Sequence, residues 1–425
     1  MKLTSYWLDT AEPAGDFRRN PLPPEVDVAV IGAGFTGLSA ALELAKQGAS
    51  VAVLEQHTVG WGASGRNGGM ATTGLAIGFT QAVERYGDRA AAAMFTEYTR
   101  AIDTIESLVK EHGIDCDFER TGKLTLAYRP AHYESMKKSQ AMLAELAHHP
   151  VQLVPKAEIR DEIGSDYYHG ATVDPAAAGL HVAKFAHGLA GAAVQHGAGI
   201  HENAAVTELR RIGGAVHDVH TTRGITRAKQ VLVGTSGYTG SPFPWLRRRV
   251  IPVGSFIIAT EPLPDHVVRT LLPNRRMASD SKNLIYYFRL TPDNRLLFGG
   301  RARFAMSNPD SDLKSGRVLR KAMSTVFPSL ATARIDYTWG GLVDLSMDQM
   351  VHAGEHDGVF YSLCYSGHGV QMATHMGTSM ASYLGGNREA NPWGALRFPP
   401  VPGHFGKPWF LPLIGGGARL ADLVR

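Results

Sequence analysis

The sequence predicts an α/β fold with two domains, one built on a parallel sheet and one α+β domain built on a mainly antiparallel sheet. A glycine-rich turn joins a short β-branched run to an amphipathic helical segment near residue 30, and the same pattern of short apolar runs and helices returns after residue 180. Between Val250 and Gly299, β-like runs are separated only by turns. Strands in close succession are typical of antiparallel sheets, and strands alternating with helices are typical of parallel ones.

The stretch Val28–Glu55 has the pattern of a complete β-α-β unit. Val28–Ile31 is a β-branched run that predicts a buried parallel strand, and Gly32, Gly34 and Gly37 follow with the spacing GxGxxG. The first glycine permits the tight turn, the second lets the backbone approach a pyrophosphate, and the third lets the helix pack close to the strand. The unit therefore predicts a Rossmann-type dinucleotide site, the alternative being a glycine-rich turn without a ligand.

The second half of this unit narrows the choice of dinucleotide. Gly48 ends the helix, Val51–Leu54 is the second strand, and Glu55 follows it. A carboxylate at this position accepts hydrogen bonds from the adenosine ribose hydroxyls, whereas a basic residue would suit a 2′-phosphate. We therefore expect FAD or NAD rather than NADP.

Composition limits the function classes further. The 425 residues include 43 basic and 39 acidic side chains, a net charge of +4 that gives no reason to expect nucleic acid or anionic lipid as a partner. Cys116 and Cys364 are the only cysteines, so no disulfide framework is expected. No signal-peptide pattern and no run of about 18 apolar residues is present. We expect a cytoplasmic protein without an integral membrane segment, and its oligomeric state stays open.

Two further stretches are rich in glycine. Gly60–Met70 (GWGASGRNGGM) contains five glycines, which predicts that its backbone lies close to another group. The alternative is a flexible surface loop. Tyr365–Val370 (YSGHGV) follows the predicted strand Val359–Cys364 and opens a helix. Backbone N–H groups at such a helix start favour an electron-rich ligand.

The remaining pattern divides the chain. We expect helices over Asp88–His112, His132–Ala147, Leu180–His196 and Arg317–Phe327, and a polar, proline-rich arm before Val26. The predicted domains are a discontinuous dinucleotide-binding domain (26–79, 178–247 and 338–388), a second domain (80–177 and 248–337) and a tail (389–425) that contains a short helix, Arg419–Val424.

The fingerprint, the GASGRNGG loop, LTPDNRLLFGG and YSGHGV together resemble the flavin amine oxidases of the D-amino-acid oxidase, glycine oxidase and sarcosine oxidase superfamily, most of all its gamma-glutamylputrescine oxidase-like branch. The resemblance covers nearly the whole chain. It implies a glutathione-reductase-like FAD-binding domain and a substrate domain whose antiparallel sheet covers the isoalloxazine ring.

The resemblance also implies the cofactor contacts. In the adenosine diphosphate part of FAD, the pyrophosphate turn would be Gly32, Gly34, Phe35, Thr36 and Gly37, Glu55 would bind the ribose, and Val206 would contact adenine through its backbone. The loop 62–70, here called the flavin loop, would pass beside the flavin ring with Gly62, Ala63, Ser64, Arg66, Asn67, Gly68, Gly69 and Met70. The remaining contacts would come from Gly237, in the loop after residue 233, and from the late helix start at Gly367, His368, Gly369 and Val370.

A single dinucleotide fingerprint leaves no place for a separate NAD(P)H, so electrons should come directly from an organic substrate. We expect hydride transfer from the carbon of a primary or secondary amine, including one that carries a gamma-glutamyl group, to flavin N5. The candidate catalytic residues are His368, Tyr287, Trp339 and Arg66, with core packing or surface exposure as the competing interpretation. Tyr286 and Tyr287 alternate on one strand, so only one can face the site. Arg289 is a further candidate for a substrate carboxylate.

Two departures from the family pattern bear on the electron acceptor and on cofactor attachment. Leu297 stands where sarcosine oxidases carry a lysine thought to promote reaction with oxygen, so reoxidation by O₂ with release of H₂O₂ and transfer to an electron carrier both stay open. The segment WGGLVDLSMDQM lacks the cysteine that tethers flavin in that branch, which favours non-covalent FAD.

An RNA-modifying flavoprotein is a further alternative. His352 and His356 are expected in a turn and not as metal ligands.

Overall fold

The computed structural model describes residues 1–300, 306–406 and 408–412. The predicted helix Arg419–Val424 lies outside these residues. Over the described part of the chain the strands are β1 (Glu25–Ile31), β2 (Val51–Leu54), β3 (Met70–Ala71), β4 (Lys123–Leu126), β5 (Gln152–Pro155), β6 (Gly170–Asp174), β7 (Ala178–Gly179), β8 (Gly199–His201), β9 (Val206–Gly213), β10 (Val216–Thr221), β11 (Gly224–Val233), β12 (Ile251–Thr260), β13 (Met277–Asp280), β14 (Tyr286–Leu290), β15 (Leu296–Gly300), β16 (Ile335–Leu345), β17 (His352–His356) and β18 (Val359–Leu363). The α-helices are α1 (Tyr6–Thr10), α2 (Phe35–Lys46), α3 (Phe79–Tyr86), α4 (Asp88–Glu111), α5 (Pro130–Leu146), α6 (Val182–Gln195), α7 (Pro244–Arg247), α8 (Asp265–Leu271), α9 (Pro309–Val326) and α10 (Gly369–Leu384).

The first sheet contains the predicted β-α-β unit at its centre. Its strand order is β17-β18-β11-β1-β2-β8, and β1 pairs in parallel with both β2 and β11. Gly32 turns the chain with φ +101°, and its N–H donates to Leu54 O at 2.9 Å. The buried faces of α2, α6 and α10 share the main hydrophobic core. The carboxyl ends of β1 and β11 therefore meet at one edge, where ligands of α/β sheets bind.

The second sheet has the order β16-β12-β15-β14-β13-β4-β6-β5. Its pairings are antiparallel except that between β13 and β4. The long pairing of β12 with β16 runs from Ile251 opposite Leu345 to Thr260 opposite Ile335. The predicted domain boundary at residue 338 falls inside β16, and the division of the chain into domains stays a prediction.

The segment before Val26 is more than the predicted arm. It contains α1, and Trp7 is fully buried while its Nε1 donates to Asn67 O at 2.7 Å. Ser5 Oγ donates to Gly65 O at 2.6 Å. The expectation of a simple polar arm was wrong because the aromatic side chains at its start are part of the core.

Two other expectations need correction. Helix α9 begins at Pro309 rather than Arg317, since Asn308 caps it by accepting from Ser311 N at 2.9 Å. His352 and His356 lie on strand β17 and not in a turn.

The described residues contain no group of three or more His, Cys, Asp or Glu placed to hold a metal ion. No helix in the same part of the chain has the length and hydropathy needed to cross a membrane.

Replacing Trp7 with alanine tests the role of this N-terminal segment. We expect Trp7→Ala to lower the free energy of unfolding by about 3–5 kcal/mol, because a fully buried indole leaves a cavity and an unpaired carbonyl. Urea unfolding of the purified protein measures this change. Trp409→Ala is the control, since Trp409 is 66% exposed; equal effects of the two substitutions would contradict the assignment.

Candidate active site

A cavity of about 380 Å³ lies between the carboxyl edge of the first sheet and the face of the second. The starts of α2 and α10 and the loop 62–70 line one side, and residues of β4, β12, β13, β14 and β16 line the other. Of the predicted site residues, those lining the cavity are Gly34, Phe35, Thr36, Ala63, Ser64, Arg66, Asn67, Gly68, Met70, Tyr287, Gly367, His368, Gly369 and Val370.

The turn before α2 leaves no room for side chains. A Cβ atom on Gly37 would lie 1.9 Å from Gly32 O, and one on Gly34 would lie 2.9 Å from Ser64 Oγ. The same hydroxyl accepts from Phe35 N at 3.0 Å. The turn, the first residues of α2 and the flavin loop therefore form a backbone cradle at a helix N-terminus, which suits a pyrophosphate.

Glu55 lies at the end of β2 beside this cradle. Its Oε2 accepts from Ala33 N and its Oε1 from His57 N, each at 2.8 Å, and burial raises the pKa of the carboxyl group. Ala204 N donates to Glu55 O at 2.8 Å, so Val206 at the start of β9 is close by. Glu55 and Val206 lie outside the main cavity, on the side expected for adenosine.

The loop 62–70 is held by its own polar side chains. Asn67 Nδ2 donates to Ala63 O and Ser64 O, each at 3.0 Å, and Asn67 Oδ1 accepts from Gly69 N at 2.8 Å. Arg66 Nε donates to Trp61 O at 2.7 Å, with its guanidinium 4.5 Å from the Trp61 ring centre. The flexible-loop interpretation of this glycine-rich stretch therefore does not describe it.

The glycines of the site that do not line the cavity pack against other groups. Gly32 and Gly37 shape the turn, as above. A Cβ on Gly62 would lie 3.3 Å from the Tyr238 ring, and one on Gly237 would lie 3.0 Å from Leu342 Cβ. Gly69 has φ +69°. These positions shape the walls, and their contact with a cofactor stays a prediction.

The turn before α10 has an unusual backbone. Cys364, Ser366 and Gly367 have φ values of +65°, +52° and +96°. Asp344 Oδ2 accepts from Cys364 N at 2.6 Å, and this bond fixes the turn from β16. The first turn of α10 enters the cavity wall at Gly369, where helix N–H groups lack partners within the helix and the dipole is positive. Such a helix end suits a ring that gains negative charge.

Tyr287, and not Tyr286, faces the cavity. The Tyr287 hydroxyl lies 3.0 Å from Ser255 Oγ, and its ring crosses Gly299, where a Cβ would lie 2.3 Å from the ring. On the other side, a Cβ on Gly68 would lie 3.1 Å from the same ring. Tyr287 therefore lies between the second sheet and the flavin loop.

Two candidate residues, Trp339 and Arg289, do not line the cavity, and neither does Leu297. Trp339 is 1% exposed and its Nε1 donates to Arg66 O at 2.9 Å. Arg289 is buried and donates to Gly69 O and Leu180 O. Leu297 lies in the main hydrophobic core. The first two hold backbone of the site rather than face its interior.

Sequence reasoning missed several lining residues of the second sheet, among them Lys123, Ser255, Ser279, Lys282 and Asp344. The alternation of polar and apolar residues in KLTL, the sequence of β4, was the signal available for Lys123. The order of strands in the sheet, which brings these residues together, was not readable from the sequence.

The residues present fit FAD. A side-chain-free cradle at a helix N-terminus matches a pyrophosphate, the buried Glu55 matches a ribose, and the N-terminus of α10 matches the electron-accepting end of a flavin.

Substitution of Gly34 tests the cradle. Gly34→Val should give protein that retains little FAD, because its branched side chain would meet Ser64 and occupy the pyrophosphate position. The flavin-to-protein absorbance ratio after gel filtration measures retention. Gly191→Ala is the control, since nothing lies within 4 Å of a Cβ there; yellow Gly34→Val protein would contradict the assignment.

Asp344 gives a pH prediction. Burial raises the pKa of its carboxyl from 3.8 to about 6. Between these values the folded protein keeps a proton that the unfolded chain loses, so the contribution of Asp344 to the free energy of unfolding should fall as pH rises from about 4 to about 6, by up to about 3 kcal/mol, and then level off. Asp344→Asn should remove this contribution. Urea unfolding of the FAD-loaded wild type and of Asp344→Asn across this pH range measures the contribution. The same pH dependence of the free energy of unfolding in both proteins would contradict the prediction.

Comparison with known proteins identifies the family. A family model described as FAD dependent oxidoreductase (DAO) matches residues 27–383. The chain is 34% identical over 408 residues to the probable oxidoreductase OrdL of Haemophilus influenzae, covering 94% of this chain and 92% of that protein. It is 32% identical over 423 residues to gamma-glutamylputrescine oxidoreductase of Escherichia coli, covering 99% and 97%. The crystal structure of glycine oxidase from Geobacillus kaustophilus shares the fold, with a TM-score of 0.71 at 21% identity over 90% of this chain and 99% of that one.

These similarities confirm three predictions made from the sequence: the fold class, the enzyme class and FAD as the cofactor. The chain belongs to the DAO family of FAD dependent oxidoreductases.

Proposed function

We propose that this enzyme oxidises a primary or secondary amine to an imine, which water then hydrolyses to an aldehyde or ketone. The observation that carries the proposal is that the dinucleotide cradle and the polar face of the second sheet line one shared cavity. Bound FAD supplies the hydride acceptor, its N5 atom. The names of the two relatives, gamma-glutamylputrescine oxidoreductase and glycine oxidase, support an amine as the donor.

The residues around the cavity have separate roles in this proposal. Tyr287 and Ser255 offer neutral hydroxyl groups that can accept a hydrogen bond from a neutral amine and orient its C–H bond. His368 and Arg66 face the same cavity and are proposed to contact the cofactor or substrate. Trp339 acts on Arg66 through its backbone carbonyl and is therefore a positioning residue.

A gamma-glutamylated amine is the proposed substrate, since the Escherichia coli relative acts by its name on gamma-glutamylputrescine and matches this chain over almost its whole length. FAD is proposed to be bound without a covalent link, because neither Cys116 nor Cys364 is among the residues that line the cavity.

A dehydrogenase that passes electrons to a carrier is a second candidate. The observation that favours it is Leu297, a buried apolar side chain where a lysine would promote reaction with oxygen. An RNA-modifying role has less support, because the net charge of +4 is small for a nucleic-acid partner.

Anaerobic rapid mixing of the holoenzyme with gamma-glutamylputrescine, putrescine, glycine, sarcosine and proline tests the proposal. An amine substrate should bleach the flavin band at about 450 nm. Bleaching by gamma-glutamylputrescine with stoichiometric H₂O₂ in air is the expected result. Bleaching without peroxide, with reduction of an added dye, would instead favour the dehydrogenase, and no bleaching by any amine would contradict amine oxidation.

A further inference from the structure

One charged side chain of the cavity has no role in the function proposed above. Lys123, on β4, lines the cavity and is partly buried. Within the part of the chain that the structure describes, no hydrogen bond or ion pair holds its ammonium group, and burial lowers the pKa of that group. An ammonium group removed from water costs free energy unless an anion compensates it.

The carboxylate nearest to Lys123 in the sheet is already engaged. Asp174 lies directly opposite Lys123 in the pairing of β4 with β6. Its Oδ2 accepts from His149 Nε2 at 2.9 Å and from Thr73 Oγ1, and its Oδ1 accepts from Ala176 N at 3.0 Å. These three donors hold the carboxylate, which attracts the Lys123 ammonium group and raises its pKa against the effect of burial, but among the described residues no direct ion pair joins the two.

The second lysine that lines the cavity, Lys282, has partners for its ammonium group within the protein. Lys282 Nζ donates to Tyr167 Oη at 3.0 Å and lies 3.5 Å from Asp280 Oδ2. It also lies 4.0 Å from the ring centre of Tyr286 and 4.5 Å from that of Tyr128. Lys282 is therefore paired within the protein, whereas no described residue forms a hydrogen bond or ion pair with the Lys123 ammonium group.

The position of Lys123 in the sheet sets its distance from the reaction centre. Tyr287 on β14 is opposite Ser279 on β13, which is opposite Thr125 on β4. Since neighbouring strands are about 4.8 Å apart, the backbone of β4 lies about 10 Å from that of Tyr287. Lys123 is thus carried by a strand two positions away from that of Tyr287, next to which the proposed reaction would place the carbon that loses hydride.

We propose that Lys123 determines substrate specificity by pairing with a carboxylate at the far end of the amine substrate, with Ser279 on the same sheet face beside it. This inference rests on the proposed amine oxidation. The selected substrate would carry a carboxylate that a chain of several atoms separates from the oxidised carbon. A substrate carboxylate would form the direct ion pair that Asp174 does not, so substrate binding would compensate the partly buried ammonium group.

Two matched compounds test this specificity. One is gamma-glutamylputrescine, and the other is the same compound with its α-carboxylate converted to a carboxamide, which keeps the shape and removes the charge. For the wild-type holoenzyme, kcat/KM for the carboxylate should exceed that for the carboxamide by about 10- to 100-fold, the usual range for a hydrogen-bonded charged group. Lys123→Met should reduce this preference to about 3-fold or less, mainly through KM.

Three further measurements separate charge pairing from structural damage. Lys123→Arg should keep most of the preference, and Lys137→Met, on the surface at 43% side-chain exposure, should leave both substrates unaffected. Glutarate, which cannot be oxidised, should perturb the flavin spectrum of the wild type, and its Kd should rise about 10-fold or more in Lys123→Met. Equal loss of activity with both compounds in Lys123→Met would overturn the proposal.

The outcomes also distinguish this inference from the proposed function. Bleaching by both compounds without a carboxylate preference in the wild type would overturn the role of Lys123 and leave amine oxidation standing. If neither compound bleaches the flavin, the proposed substrate fails. The glutarate titration then decides the role of Lys123 by itself: weaker binding in Lys123→Met supports the anion site, and unchanged binding overturns it.

Discussion

The close approach of α2 to the turn after β1 is the constraint on which the site depends. Gly37 lies so near Gly32 O that no side chain fits between them. The start of this helix also receives the rest of the site, since Ser64 Oγ accepts from Phe35 N and Tyr365 Oη lies 2.7 Å from Thr36 Oγ1. The cofactor cradle, the flavin loop and the turn before α10 are thereby fixed to one point of the backbone.

The flavin loop shows how distant segments cooperate. Its carbonyl groups from Gly65 to Gly69 accept hydrogen bonds from Ser5, Trp339, Trp7 and Arg289, which come from the N-terminal segment and from two strands of the second sheet. A loop rich in glycine has little side-chain packing of its own, so these donors add to the order that Asn67 and Arg66 supply from within the loop. This explains why Trp339 and Arg289, which the sequence suggested for catalysis and for substrate binding, are buried away from the cavity.

Charge is distributed unevenly over the two sides of the cavity. The side formed by the first sheet presents helix N-termini and backbone N–H groups, which suit phosphates and a reduced ring. The side formed by the second sheet presents hydroxyl groups, the carboxyl group of Asp344 and two lysines, of which Lys282 is paired within the protein. The enzyme thus separates the groups that fit the cofactor from those available to select a substrate.

The sequence by itself predicted the glycine-rich turn before α2, the glycine-rich loop 60–70 and a helix that opens within Tyr365–Val370, because glycine spacing and strand-helix periodicity are local properties of the chain. It also identified Tyr287 as one of two alternating candidates. Only the tertiary structure decided that Tyr287 crosses Gly299 toward Ser255. The same holds for Trp7 and Trp339 as supports of a loop, and for Lys123, whose cross-strand carboxylate is engaged elsewhere. These facts depend on which strands become neighbours, and strand order in a sheet is set by packing between residues far apart in the chain, which no local pattern records.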